Sequence, residues 1–71
     1  MTKLYRSAAH PGCWVAFVPG SGWFVFPARE DGWDARRPAR GLDPIHLREV
    51  PIRAAENTGI LAFEEELTGV A

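Results

Sequence analysis

The sequence predicts a small single domain of the α+β class: an antiparallel β-meander of three to four strands, with one or two short C-terminal helices packed on one face. Two observations predict the sheet. Two runs rich in aromatic and β-branched residues flank a Pro-Gly-Ser-Gly cluster, and an Asp-Gly pair follows them. A third observation predicts the helices, because an Asp-Pro pair and apolar residues at spacings of three and four come later in the chain.

The central element is a predicted hairpin over residues 13–28, preceded by a first strand over residues 2–8. A loop of two or four residues places Val18 opposite Trp23, and side chains then alternate between two faces. One face, taken as the core face, carries Cys13, Val15, Phe17, Phe24, Phe26 and Ala28. The other face carries Trp14, Ala16, Val18, Trp23, Val25 and Pro27.

Asp31-Gly32 is the favoured central pair of a type I′ turn and predicts a further strand over residues 33–40. Pro38 makes this an edge strand, because proline cannot donate to a ladder. Its alternation places arginines beside the two tryptophans of the second face. The result is a predicted Trp/Arg face, made of Trp14, Trp23, Arg36 and Arg40.

The sequence pattern of the C-terminal third predicts short helices. Asp43-Pro44 is typical of a helix start, with Asp as N-cap and Pro in the first turn. Pro51 predicts a break, followed by a second short helix over residues 52–57. A competing interpretation makes residues 48–53 extended; the helix is preferred. Residues 60–67 predict either an amphipathic acidic helix or a frayed tail.

The composition is typical of one small globular domain without a disulfide. A chain of 71 residues with 46% hydrophobic and 24% charged residues is typical of one globular domain, with residues 1–59 as its body and residues 60–71 as the acidic helix or partly disordered tail. The single cysteine cannot form an internal disulfide, and we expect no metal and no cofactor. Seven arginines against one lysine indicate a GC-rich bacterial or phage genome.

Localisation and charge restrict the partners. The sequence contains neither an apolar stretch of about 18 residues nor a secretory leader, so we expect a cytoplasmic protein with no membrane partner. Residues 1–53 hold eight basic and five acidic residues, a net charge of +3, whereas residues 54–71 hold four acidic residues and no basic one. This asymmetry falls well short of a strongly basic nucleic-acid-binding protein.

No catalytic arrangement is evident. His10 and Cys13 lack a third group that would orient a nucleophile, and Cys13 is expected to be a buried structural residue. His46 with Asp43 and Glu49 is typical of an ordinary surface histidine. The glycines match neither the P-loop nor the dinucleotide-binding fingerprint. We therefore predict that the protein is not an enzyme.

The Trp/Arg face carries the functional prediction. Tryptophan and arginine recur in protein-binding hot spots, so the sequence predicts a non-catalytic binding or assembly module, with a protein partner or a second copy on this face. The alternative is a small nucleic-acid-binding protein in which the tryptophans stack on bases and the arginines contact phosphates. The competing structural explanation is that the C-terminal segments cover both tryptophans.

Overall fold

A computed structural model describes residues 2–58 of the chain. Within these residues the chain forms five strands: β1 (Lys3–Ser7), β2 (Cys13–Val18), β3 (Gly22–Pro27), β4 (Arg37–Pro38) and β5 (Leu47–Val50). Two segments of 3-10 helix, Pro44–His46 and Ile52–Thr58, complete the described part. The strands form one antiparallel sheet in the order β4-β3-β2-β1-β5, so the first strand lies between the second and the last.

The predicted α+β fold class is wrong, because residues 2–58 form a five-stranded antiparallel sheet and contain only short 3-10 segments. Asp43 does cap the expected start, where its Oδ1 accepts a hydrogen bond from the backbone N–H of Ile45 at 3.1 Å. The turn ends after three residues, at His46, and the chain then becomes extended. The competing interpretation, which made residues 48–53 extended, was right for residues 48–50, which pair with β1, and wrong for residues 52 and 53, which begin the second 3-10 segment.

The predicted register of the hairpin is also wrong. Val18 pairs with Gly22 and Phe17 with Trp23, one position away from the expected pairing. The loop between the strands has three residues, because Pro19 and Gly20 form a turn in which the N–H of Ser21 donates to the carbonyl of Val18 at 3.0 Å. Gly20 has a φ of +85°, which a type II turn requires after its proline.

When the pairing of two strands shifts by one residue, every side chain of one strand moves to the opposite face of the sheet relative to the other strand. The face assignment is therefore right for β3 and wrong for β2. The side chains that join Phe26 in the core are Ala16 and Val18, with Trp14 and Phe24 packed against them. Val15 and Phe17 lie on the opposite face, where Val15 pairs with Val25.

Of the predicted strand over residues 33–40, only the two residues of β4 are extended and paired in the sheet. β4 pairs with Phe24 and Val25 of β3, and the N–H of Ala39 donates to the carbonyl of Trp23 at 2.9 Å. The preceding residues, 28–36, form turns rather than a type I′ hairpin. This arrangement places Trp33 in the core, where it is 1% exposed and makes edge contacts with the rings of Phe24 and Phe26.

The core occupies one face of the sheet. Trp33 from the 28–36 turns and Ala55 from the second 3-10 segment pack over it. The last described residue, Thr58, is buried, and its carbonyl accepts a hydrogen bond from the N–H of Trp33 at 3.0 Å. The predicted helix or tail of residues 60–71 lies outside the described residues. No helix within residues 2–58 has both the length and the apolar character needed to span a membrane.

Candidate binding surface

The four residues of the predicted Trp/Arg face do not share one face. Trp14 packs against the core, and the guanidinium of Arg6 lies 4.5 Å from its ring centroid. Arg36 lies 4.8 Å from the ring centroid of Trp33, on the core side. Arg40 is exposed beyond β4. Only Trp23 projects from the sheet on the side opposite the core, because its pairing partner Phe17 lies there.

The side of the sheet opposite the core carries an aromatic cluster that the sequence prediction missed. We call this surface the aromatic face and define it by Tyr5, Val15, Phe17, Trp23 and Val25. These residues come from three neighbouring strands, and strand pairing places them on one side. None of them belongs to the core cluster of the described residues.

The rings of the aromatic face contact one another. The centroid of Trp23 lies 5.0 Å from that of Phe17 and 5.3 Å from that of Tyr5, with interplanar angles of 54° and 47°. Tyr5 and Trp23 belong to β1 and β3, so their rings meet above β2. Val15 lies between them on β2 and has no exposed surface. The three rings themselves remain partly exposed.

Charged side chains of both signs lie beside the rings. Lys3 pairs with Phe17 and Glu49 pairs with Tyr5, which places both charged residues on the aromatic face. The Lys3 Nζ lies 3.8 Å from the Glu49 Oε1, and both side chains are more than half exposed. Arg37 lies at the other margin of the face, opposite Val25.

A pocket of about 280 Å³ lies at that margin, where β4 meets β3. Its floor is apolar, and two guanidinium groups line it. The side chain of Arg29 is in an ion pair with Asp31 at 2.7 Å, whereas the side chain of Arg37 makes no ion pair within residues 2–58. The lining residues are Cys13, Val25, Phe26, Pro27, Arg29, Ala35 and Arg37.

The groups considered for catalysis are not assembled into a site. Cys13 is half-buried at the edge of the pocket, and its backbone N–H donates to the carbonyl of His10 at 3.2 Å. The His46 Nε2 lies 3.9 Å from the Asp43 Oδ2, and both side chains are exposed. In the described part of the chain, no three His, Cys, Asp or Glu side chains are placed to hold a metal ion. The aromatic face is therefore the surface with the clearest capacity for recognition.

The sequence contained a clue to this face. A proline followed by glycine favours a type II turn, and that turn gives a loop of three residues when Gly22 starts the next strand. A loop with an odd number of residues pairs Trp23 with Phe17, so both rings lie on the same face. Comparison of the chain with protein-family models, with curated proteins and with solved structures found no match.

Proposed function

We propose that this domain is a non-catalytic assembly module that associates with a second copy of itself through the aromatic face. One observation carries the proposal: three contacting aromatic rings stay partly exposed on the side of the sheet opposite the core. Contiguous apolar surface of this kind marks interaction sites on small soluble domains.

The chemistry of the rings supports protein recognition. Tryptophan and tyrosine combine a large apolar area with a polar group, and they are enriched among the residues that dominate binding energy. Trp23 lies between Phe17 and Tyr5, so its ring is held by neighbours before any partner arrives. A ring held in this way loses little conformational entropy on binding.

The balance of charge supports a second copy over a nucleic acid. A nucleic-acid surface needs unpaired cations that follow the phosphates. Beside the rings, Lys3 lies next to the carboxylate of Glu49, and Arg37 at the margin of the face adds one further cation. A two-fold interface uses the same surface twice and must be self-complementary. The Lys3–Glu49 pair meets this condition, because Lys3 of each copy can face Glu49 of the other.

The small core also supports self-association. The fully buried apolar side chains among residues 2–58 are few, and only one face of the sheet is covered by turns and 3-10 segments. A domain of this size commonly gains buried area by oligomerising. The free thiol of Cys13 is compatible with a reducing compartment, and we propose a cytoplasmic location.

The test is the solution mass of the wild-type chain and of Trp23→Ala across protein concentration. We expect a reversible dimer for the wild type. Removal of the central ring should weaken it about thirtyfold or more, the effect of a hot-spot residue worth at least about 2 kcal/mol. Sedimentation equilibrium measures both dissociation constants.

Ile45→Ala is the matched control. Ile45 is 82% exposed on the first 3-10 segment and is not one of the residues of the aromatic face, so its truncation should leave the dimer unchanged. A wild-type chain that stays monomeric at every concentration would overturn the proposal. Binding of single-stranded DNA that weakens steeply with salt and depends on Trp23 would instead favour the nucleic-acid function.

A further inference from the structure

One row of residues across the aromatic face ends in opposite charges. Strand pairing sets five residues, one from each strand, side by side on this face: Glu49, Tyr5, Val15, Val25 and Arg37. The row therefore begins with an anion at the β5 edge of the sheet and ends with a cation at the β4 edge. The three residues between these ends are apolar or aromatic.

The two ends of the row also have complementary surroundings. Arg37 lines the pocket of about 280 Å³ among mostly apolar side chains, and its guanidinium makes no ion pair within residues 2–58. At the other end, the carboxylate of Glu49 lies 3.8 Å from Lys3 and is more than half exposed, so it can accept a second cation. Leu47 lies two residues before Glu49 and therefore shares its side of β5.

Two-fold symmetry allows two aligned ways of placing one such face on another. Packed sheets commonly keep their strand directions within about 30° of each other, so the axis runs either across the strands or along them. An axis across the strands lays β5 on β5, which brings Lys3 near Glu49 but also sets Arg37 against Arg37. An axis along the strands keeps each row opposite the same row and reverses its direction. Glu49 of each copy then faces Arg37 of the other.

We propose that the two-fold axis runs along β2, so that the pocket of each copy receives the β5 strand of the other; this inference rests on the dimer proposed above. Arg37 binds the carboxylate of Glu49 from the second copy, and Leu47 of that copy covers the apolar floor of the pocket. Glu49 keeps Lys3 of its own copy as a neighbour. Both ends of the row then face opposite charge, and both pockets are filled.

This orientation brings the two Cys13 side chains together. β2 is the middle strand of the five, so an axis along it sets β2 of one copy against β2 of the other. Cys13 shares the side of β2 that carries Val15, and facing sheets lie about 10 Å apart. With an axis across the strands, centred between Val15 and Phe17, the two cysteines would lie six residues apart along β2, which is roughly 20 Å.

Cross-linking of Cys13, the single cysteine of the chain, tests the orientation in the wild-type protein. A bis-maleimide with a short spacer is added at a concentration where sedimentation equilibrium shows a dimer, and labelling by a single maleimide checks that the thiol reacts. We expect most wild-type chains to become covalent dimers. Trp23→Ala at the same concentration should stay largely unlinked, and Cys13→Ser should give no product.

The outcomes separate this inference from the proposed function. A dimer with a reactive thiol that does not cross-link would overturn the orientation and leave the dimer through the aromatic face standing. A chain that stays monomeric would overturn both.

Charge reversal provides a second test that does not depend on the thiol. Arg37→Glu sets a glutamate against Glu49 at both ends of the interface and should weaken the dimer about tenfold, because two attractions become repulsions. Addition of Glu49→Arg to the same chain should restore the wild-type dissociation constant. The control Arg40→Glu makes the same change of charge at an exposed residue beyond β4 and should have no effect.

An axis across the strands gives a different result. Arg37 would then face its own copy, and Arg37→Glu would replace one like-charged pair with another. Equal dissociation constants for the wild type, for Arg37→Glu and for the double variant, with circular dichroism showing all three folded, would overturn the proposed orientation.

Discussion

At the scale of single residues, Gly32 shows why a glycine can be needed without an unusual backbone conformation. It lies outside the left-handed region, unlike the type I′ turn position predicted for it. A Cβ at this position would overlap the carbonyl oxygen of Pro27 and lie 2.8 Å from the carbonyl oxygen of Arg29. Glycine therefore permits the close approach that brings Thr58 against the 28–36 turns.

This close approach predicts the effect of a substitution. Gly32→Ala should lower the free energy of unfolding by about 1–3 kcal/mol, because backbone atoms on two sides must move. Denaturant titration measures the change.

Gly20 is the matched comparison, because it has a φ of +85° and open space around its missing Cβ. Asparagine tolerates the left-handed region, so Gly20→Asn should cost less than Gly32→Asn. Equal losses at the two positions would show that the approach of Pro27 and Arg29 is unimportant.

At the scale of elements, the strands were predictable and their register was not. Composition located β1, β2 and β3, since their aromatic and β-branched residues suit a pleated sheet. The register depended on whether the loop after Val18 has an odd or an even number of residues. A symmetric hairpin around residues 19–22 predicts an even number, whereas the observed loop is odd. The odd loop places Trp14 on the core side and Phe17 on the opposite side.

The later elements failed for a different reason. Leu47–Val50 has charged residues at its two central positions, so its own composition favours a strand only weakly. Pairing with β1 makes it a strand. Trp33 was predicted at the start of a strand, yet it fills the core through contacts with residues distant in sequence. Tertiary contacts of this kind override local preference. The candidate site followed the register, so only Trp23 of its four predicted residues lies on the aromatic face.

The edges of the sheet are protected against pairing with another copy. β4 has two residues, and one of them is Pro38. β5 is the other edge among the described strands. If β5 pairs antiparallel with its own copy around a two-fold axis, residues that face each other must point to the same side of the sheet. The axis therefore passes between two copies of the same residue. Centring on Arg48 sets two arginines opposite each other, and centring on Glu49 sets two glutamates.

Removal of both charges should therefore make the edge of β5 available for pairing. The double variant Arg48→Thr with Glu49→Thr keeps the net charge and should increase association through β5. Static light scattering at rising concentration, with thioflavin fluorescence, measures it. A charge-neutral control, Asp34→Thr with Arg40→Thr, changes exposed residues outside β5. Equal association of both variants would contradict an edge effect.

At the scale of the whole molecule, stability should depend on protein concentration. A partner that binds only the folded state stabilises it by mass action. The midpoint of thermal unfolding should therefore rise with concentration for the wild type and stay constant for Trp23→Ala. Differential scanning calorimetry over a hundredfold range of concentration measures both. A wild-type midpoint that does not move would speak against the proposed dimer.

The central position of β1 has a consequence for how the chain is made. β1 is synthesised before the other described strands, yet its outer neighbour, β5, ends at Val50, and the paired residues of the two strands lie 40 to 46 positions apart in the sequence. Pairing at such separation is slow compared with the closing of the β2–β3 hairpin. During synthesis, the hydrogen-bonding edge of β1 stays open until Val50 has left the ribosome. A nascent chain halted before that point presents this edge, with Leu4 beside it, to other nascent chains and to chaperones.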